Sequence, residues 1–264
     1  MQLTHIKLDN YKSWQDYYWD YQYKLAQEYY IPLLNKWKIQ LKGKKVLDIG
    51  CGNGGFTAGF ADEGAICTGI EIKSFDWNIH NSNLRYIIQD ITERDAVEKI
   101  GREYDLIILR DVIEHIPLDQ KQQFLKSINR FSRGDSLALF TFPPFYSPFG
   151  LHQQTILKSI IRIFPFLGWV PDPFLCSILK LFGEKEDAID KIREIKSSRM
   201  TIRNFKNLLN QLKFGIEYEL YFHIRPSHYI RYGWKTIISR AGNIPIINEI
   251  VNLGTVYLVK LNED

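Results

Sequence analysis

Short apolar runs alternate with amphipathic stretches between residues 45 and 142. Apolar runs rich in β-branched residues predict buried strands, and intervening segments with a helical period predict crossover helices. This alternation is typical of an α/β protein with a parallel sheet built from βαβ units. The predicted strands are residues 45–49, 65–71, 84–89, 106–110 and 136–142, and the predicted helices are residues 55–63, 75–81, 94–100 and 119–131.

The pattern changes after residue 142, where Pro143, Pro144 and Pro148 end the fifth strand. Amphipathic and charged segments then predict a helical insertion, and Thr201 suits the N-cap of a later helix. The elements predicted beyond this point are helices at 153–164, 174–182, 184–196 and 201–212, with strands at 216–222 and 255–261. The 184–196 helix is charged enough to be expected in solvent. The two late strands bring the mostly parallel sheet to seven strands.

A single domain accounts for residues 1–264, because this length suits one large α/β core with a modest appendage. The N-terminal segment is dense in Trp and Tyr, and the helices predicted there either pack on the core or form a lid over a ligand. The predicted organisation is a helical lid at 1–42, a core at 43–142, a helical insertion or cap at 143–200 and the end of the sheet at 201–264.

A glycine-rich turn follows the first strand, with Gly50, Gly52 and Gly55 at Gly-x-Gly-x-x-Gly spacing. Such turns let a ligand approach the backbone, and their spacing alone also suits a dinucleotide. Asp48 precedes the turn, and its carboxylate would repel a pyrophosphate but attract the cationic methionine end of S-adenosylmethionine. The charge argument therefore favours a methyl donor and keeps a dinucleotide-binding protein as the alternative.

Two further carboxylates end the next two strands. Glu71 lies about 20 residues after the turn, where an acidic side chain can accept hydrogen bonds from ribose hydroxyls. Asp90, with Ile91 beside it, suits the amino group and flat face of an adenine, although Asp90 could instead be a surface N-cap.

These motifs, from Val46 to Gly54, at Glu71, at Asp90 and over residues 104–115, resemble those of class I S-adenosylmethionine-dependent methyltransferases. The chain is most similar to bacterial small-molecule enzymes of the ubiquinone-biosynthesis and surface-polysaccharide type, over residues 42–142. The resemblance implies a Rossmann-like, doubly wound sheet, S-adenosyl-L-methionine as cofactor and S-adenosyl-L-homocysteine as product. The cofactor-binding residues expected from the motifs and their neighbours are Asp48, Gly50, Cys51, Gly52, Asn53, Glu71, Ile72, Asp90, Ile91, Arg110 and Asp111.

His115 and His152 are the candidate catalytic residues. Methyl transfer is an in-line displacement that needs a base mainly when the acceptor is a hydroxyl or an ammonium, and histidine is suited to that role near neutral pH. His115 follows the fourth strand and His152 follows the fifth, so both are expected at the edge where such sheets bind ligands. His115 could instead only pack or cap a helix. No metal site is predicted.

The acceptor is expected to be a small molecule, a glycan or a lipid-linked compound, methylated on O, N or C. A protein or RNA target is the alternative, although a net charge of +4 is low for a nucleic-acid-binding protein. Arg225 and Arg231 could meet an acidic group on the acceptor or lie on a solvated helix face. Aromatic side chains of the insertion allow peripheral contact with a membrane, or simply form a core.

Cys51, Cys67 and Cys176 lack metal-ligand or redox spacing, which favours reduced thiols in the cytoplasm. The longest apolar run is too short and too interrupted by Pro165 to span a bilayer. A monomer or a homodimer fits this sequence equally well.

Overall fold

A computed structural model describes residues 2–242 and 244–262. One mixed sheet runs through the molecule in the order β3-β2-β1-β4-β5-β8-β6-β7. The strands are β1 (Lys45–Ile49), β2 (Ile66–Glu71), β3 (Leu84–Ile88), β4 (Tyr104–Arg110), β5 (Ser132–Phe142), β6 (Gly215–Ile224), β7 (Ile237–Ile238) and β8 (Gly254–Lys260).

The first five strands are parallel, and β8 is antiparallel to both of its neighbours, β5 and β6. The chain moves outward from β1 to β3, then crosses back to place β4 on the other side of β1. This reversal is a topological switch point, at which open α/β sheets bind ligands beyond the carboxyl ends of their strands.

Helices cover both faces of the sheet. The α-helices are α1 (Trp14–Leu25), α2 (Ile31–Lys36), α3 (Gly55–Asp62), α4 (Ala96–Ile100), α5 (Lys121–Asn129), α6 (Gln153–Ile156), α7 (Asp172–Leu181), α8 (Glu186–Ser198), α9 (Ile202–Gln211), α10 (Pro226–Tyr232) and α11 (Ile247–Val251). A π-helical turn at Ala26–Tyr30 joins α1 to α2, and the short 3-10 helix Ile113–His115 follows β4. None of the helices in the described ranges has the length and apolar character needed to cross a bilayer.

Alternation along the buried strands divides their side chains between two cores. In β4, Leu106 and Ile108 join the core beneath α1, α2 and α3, whereas Ile107 and Leu109 join the core beneath α5 and α9. Both faces of a central parallel strand are therefore apolar, which is why these strands are continuous hydrophobic runs in the sequence. The predicted Rossmann-like α/β sheet is confirmed.

Strand β7 is an eighth strand that the sequence analysis missed. It holds only Ile237 and Ile238, both exposed, and it pairs with β6 at the sheet edge. Two residues provide too short a pattern to identify a strand from sequence. All seven predicted strands are present, with ends that differ by a few residues.

The helix predicted at residues 75–81 is wrong, since this segment has no regular secondary structure. Phe75 and Ile79 are exposed, so the segment presents no buried apolar face. Its polar groups bind neighbouring segments instead: the Trp77 indole donates to the Gly52 carbonyl in the glycine turn at 2.8 Å, and His80 contacts Asp62 at the end of α3 at 3.0 Å.

The insertion forms its own hydrophobic core, which includes Leu151, Leu175, Leu179, Ile189 and Ile192. The predicted helix at 153–164 is wrong, because α6 ends at Ile156 and a separate 3-10 helix covers Ile160–Ile163. The helix predicted in solvent at 184–196 is instead amphipathic, since one face of α8 is buried in this core.

Helix α1 packs unusually close to α3. A Cβ atom on Gly55 would lie 2.2 Å from the Trp19 carbonyl oxygen, and one on Gly59 would lie 2.7 Å from the Ala26 Cβ atom. Glycines on α3 therefore set the position of the N-terminal helices.

We predict that Gly55→Ala destabilises the protein by about 1–3 kcal/mol, because the new methyl group must displace the α1 backbone. Gly215→Ala is the matched control, since its Cβ would make an ordinary contact of 3.9 Å with the Lys260 Cβ atom. Urea unfolding of both variants measures the difference. Equal stabilities would contradict the inferred close packing of α1 on α3.

Candidate functional site

Two cavities meet at the carboxyl ends of the central strands. The first, which we name the apolar cleft, has a volume of about 650 Å³ and is lined by Ile49, Ile70, Glu71, Ile72, Gln89, Asp90, Ile91 and Thr92, among others. The second, which we name the polar chamber, has a volume of about 440 Å³ and is lined by α1, the insertion and α10. Gly50, Asp111 and His115 line both cavities.

The glycine turn lies where the two cavities meet, and its Gly50 lines both of them. Gly50 has φ +74°, and a Cβ atom there would lie 2.5 Å from Val112 Cγ2. A side chain at this position would therefore strain the backbone and force the loop after β4 away from β1. Glycine keeps both loops close enough to share one ligand.

Asp48 lies beneath this turn and is almost completely buried. Its Oδ2 accepts a hydrogen bond from the Thr57 hydroxyl at 2.5 Å. Burial raises the pKa of Asp48 to about 6, although the Thr57 hydrogen bond and nearby Arg110 oppose that rise. Asp48 lines neither cavity, so any effect on a cationic ligand acts across the turn or through water.

Glu71 at the end of β2 faces the apolar cleft. Its two carboxylate oxygens accept backbone N–H groups from Gly52 at 3.2 Å and from Ile72 at 2.9 Å. These bonds fix the carboxylate beside the glycine turn and leave lone pairs to accept hydroxyl groups.

Asp90 and Ile91 lie across the same cleft. Asp90 Oδ1 accepts the backbone N–H of Thr92 at 2.8 Å and the Thr92 hydroxyl at 2.7 Å. Asp90 therefore both stabilises a local turn and lines the cleft. Ile91 is buried and supplies an apolar surface beside it.

A network of charges surrounds the polar chamber. Asp111 has φ +56°, and its carboxylate accepts bonds from Arg225 Nη2 at 2.6 Å and from the Thr141 hydroxyl at 3.0 Å. Burial acts to raise the pKa of Asp111, but Arg225 and Arg110 together hold it well below its usual value. Arg110 also lies 4.9 Å above the Phe56 ring. Asp111 is therefore a fixed anion between the two cavities.

Both candidate catalytic histidines line the chamber, and their ring centroids are 5.3 Å apart. Burial and the neighbouring His115 lower the pKa of His152 to about 4, so its imidazole is neutral at pH 7. Glu114 lies beside them, with its Oε1 atom 3.7 Å from His152 Nε2. One ligand atom from each of Glu114, His115 and His152 lies within 4.8 Å of the others.

The structure brings most of the predicted site residues together. Those that line at least one of the two cavities are Gly50, Cys51, Gly52, Glu71, Ile72, Asp90, Ile91, Arg110, Asp111, His115 and His152. Asp48 lies beneath the turn, and Asn53 faces a separate surface cavity on its far side.

Three features of the site were missed by sequence reasoning. Glu114 lies within the motif at residues 104–115, but its burial beside His152 depends on the path of the insertion. Arg225 was expected to meet an acceptor or to lie on a solvated helix face, whereas it pairs with Asp111. Trp77 was placed in a helix and instead covers the glycine turn. Each depends on contacts distant in sequence, so no local pattern identifies it.

Comparison with protein families identifies the class of this protein. A family profile described as a methyltransferase domain matches residues 18–183, which is more than half of the chain. The chain belongs to this methyltransferase family. Membership confirms the predicted class I S-adenosylmethionine-dependent methyltransferase and its cofactor.

Curated relatives match about one third of the methyltransferase. A ubiquinone biosynthesis O-methyltransferase of Coxiella burnetii is 33% identical over 91 residues, which cover 32% of this chain and 38% of the relative. One of Pseudomonas savastanoi pv. phaseolicola is 33% identical over 94 residues, covering 33% and 40%. The matched region thus spans about two fifths of the length of these relatives.

Solved structures share the fold of this methyltransferase. A SAM-dependent methyltransferase from Archaeoglobus fulgidus gives a TM-score of 0.51 at 17% identity, with coverage of 93% of this chain and 100% of the other. A second, from Methanosarcina mazei, gives 0.50 at 16% identity, with coverage of 88% and 98%. At such identities the likeness concerns the fold alone.

We predict that Asp48→Asn stabilises the ligand-free methyltransferase at pH 7. A folded-state pKa raised from 3.8 to about 6 means that ionised Asp48 opposes folding above pH 6, and that this penalty disappears as the pH falls towards 4. Two pKa units correspond to about 3 kcal/mol. Unfolding free energies at pH 4, 5, 6 and 7 should therefore show a gain for the variant that shrinks with acidity.

Asp119→Asn is the control for that measurement, because Asp119 is exposed. A gain for Asp48→Asn of the same size at pH 4 and pH 7 would contradict the role assigned to burial.

Proposed function

We propose that this methyltransferase transfers a methyl group from S-adenosylmethionine in the apolar cleft to a small-molecule acceptor in the polar chamber. The observation that carries the proposal is the meeting of the two cavities at Gly50, Asp111 and His115. A donor that extends from one cavity into the other would place its sulfonium where they join. The reacting methyl group would then face the chamber.

The residues that line the cleft suit the adenosine half of the donor chemically. Glu71 would accept the ribose hydroxyls, while Ile72 and Ile91 would contact the adenine and Asp90 would accept its amino group. The glycine turn would bind the methionine half, and the anion at Asp111 would stabilise its positive charge. Asp48 supports this turn from below.

Positioning supplies much of the catalysis for an in-line displacement. The acceptor atom must lie opposite the sulfur, about 3 Å from the methyl carbon, and the chamber walls hold it there. His115 and His152 are the proposed catalytic residues. Burial keeps the His152 imidazole neutral at pH 7, so its ring nitrogen is available to contact the acceptor.

The size and walls of the chamber favour a small acceptor over a protein or an RNA. Its walls come from three separate segments, with Tyr18 and Tyr21 on α1, Phe149 on the insertion and Ser227 on α10. The curated relatives named as ubiquinone biosynthesis enzymes support this class. A protein or RNA target is the alternative, and an acceptor screen distinguishes it from a small-molecule acceptor.

The charge of the chamber favours an acceptor with a carboxylate or a phosphate. Arg110, Arg225 and Arg231 all line it, and Asp111 neutralises part of their charge. Lipid-linked acceptors also fit the proposal, because Trp169, Phe174 and Leu181 of the insertion are exposed apolar side chains that could contact a membrane surface.

We predict that Glu71→Gln weakens S-adenosylmethionine binding by at least about tenfold, because a charge-assisted hydrogen bond to ribose is lost. Calorimetry with S-adenosylmethionine, S-adenosylhomocysteine and NAD measures this, and NAD should not bind. Glu63→Gln, at an exposed glutamate after α3, is the control. Unchanged donor affinity in Glu71→Gln would refute the assignment of the cleft.

We also predict that Arg231→Gln raises the acceptor KM about tenfold and leaves donor affinity unchanged, because removal of one ionic hydrogen bond costs roughly 1.5–3 kcal/mol. Arg231 lies over the Tyr21 ring at the chamber wall. A methyl-transfer screen of acidic and neutral small molecules, with protein and RNA included, identifies the acceptor first. Transfer only to protein or RNA would overturn the small-molecule proposal.

A further inference from the structure

Glu114 is the most unusual buried group near the chamber. It is only 3% exposed, and neither of its carboxylate oxygens has a hydrogen-bond donor among residues 2–242 and 244–262. Burying a carboxylate without donors costs several kcal/mol, so in native structures such groups are paired, coordinate a metal or become protonated. The proposed methyl transfer gives Glu114 no role.

Two imidazoles lie within reach of this carboxylate. His152 Nε2 is buried, has no hydrogen-bond partner in the described parts of the chain and lies 3.7 Å from Glu114 Oε1. His115 supplies a third ligand atom, and all three atoms lie within 4.8 Å of one another. Ligand atoms at about 2.0–2.2 Å from a tetrahedral ion lie roughly 3.3–3.6 Å apart, so shifts of about 1 Å or less in each side chain would close the group.

We propose that Glu114, His115 and His152 form a binding site for one divalent transition-metal ion, such as Zn²⁺, Mn²⁺ or Co²⁺. Two imidazole nitrogens and one carboxylate suit this class, whereas Mg²⁺ and Ca²⁺ prefer sites made wholly of oxygen ligands. Three protein ligands leave coordination positions open, as in catalytic rather than structural metal sites.

Contacts around the cluster fix the turn that carries two of the ligands. The ammonium group of Lys121 is buried and donates to the carbonyl oxygens of Ile113 at 2.6 Å and Ile116 at 2.5 Å. The Ser198 hydroxyl donates to the Glu114 carbonyl oxygen. These bonds hold the backbone on both sides of Glu114 and His115 without occupying their side chains, so the ligand atoms stay free to coordinate.

The open positions of the ion would face the polar chamber, because His115 and His152 both line it. This consequence rests on the proposed function. An acceptor hydroxyl bound to the ion would release its proton to solvent. Its oxygen would then form the new bond to the methyl carbon as the carbon–sulfur bond breaks, leaving neutral S-adenosylhomocysteine. The site thus predicts an acceptor that is methylated on oxygen.

Direct metal binding tests the site without any need for activity. The tag-free chain of 264 residues is stripped with EDTA and desalted. It is then titrated with Co²⁺, followed by visible absorption, and with Zn²⁺, Mn²⁺ and Mg²⁺, followed by calorimetry. We expect one Co²⁺ per chain with a d–d spectrum typical of nitrogen and oxygen ligands. Mg²⁺ should bind at least tenfold more weakly than Mn²⁺.

Variants locate the ion. Glu114→Gln, His115→Gln and His152→Gln should each weaken Co²⁺ binding at least tenfold, whereas His228→Gln, a histidine of the same chamber outside the cluster, should retain it. Thermal unfolding and donor calorimetry show that each variant is folded. If Glu114→Gln and His152→Gln fail to fold, His115→Gln still tests the metal site, because His115 is exposed at the cavity surface.

Absence of stoichiometric Co²⁺ binding to the native protein would overturn the proposal, as would undiminished binding in folded Glu114→Gln or His115→Gln. Calorimetry of S-adenosylmethionine with the metal-free protein separates this outcome from failure of the proposed function. Metal binding without donor binding would refute the methyl-transfer proposal alone, and donor binding without metal binding would refute the metal site alone.

Discussion

The parallel pairing of β1 with β2 on one side and β4 on the other is the constraint on which the functional site depends. Its register places Ile49 beside both Ile70 and Leu109, so the three strands end at nearly the same level. The loops that follow must then share one crevice. The glycine turn, Glu71 and Asp111 are neighbours because of this register rather than because of any direct attraction among them.

The sequence predicts the central sheet well because its strands are defined locally. Both faces of β1 and β4 are buried, so continuous apolar runs identify them without knowledge of the partners. The glycine turn is equally local. The cofactor motifs lie in this turn and at the ends of these strands. Residues such as Glu71 and Ile91 could therefore be placed in one cleft from their positions at strand ends.

Features that depend on distant contacts were not predictable in the same way. Residues 75–81 contain apolar side chains, yet Trp77 binds the glycine turn and the segment stays irregular. Glu114 and His152 come together only because the insertion folds back beside β4. One carboxylate and two imidazoles drawn from two separate segments form no local pattern, which is why the sequence predicts no metal site.

The separate hydrophobic core of the insertion has a consequence for how acceptor choice could diversify. Because residues such as Leu179 and Ile192 pack against one another rather than into the sheet, the insertion can change in sequence with little disturbance of the strands beneath. It nevertheless contributes His152 and Phe149 to the chamber. Exchange of this one segment between related proteins would therefore replace a chamber wall and a proposed metal ligand together, while the glycine turn and Glu71 remained as they are.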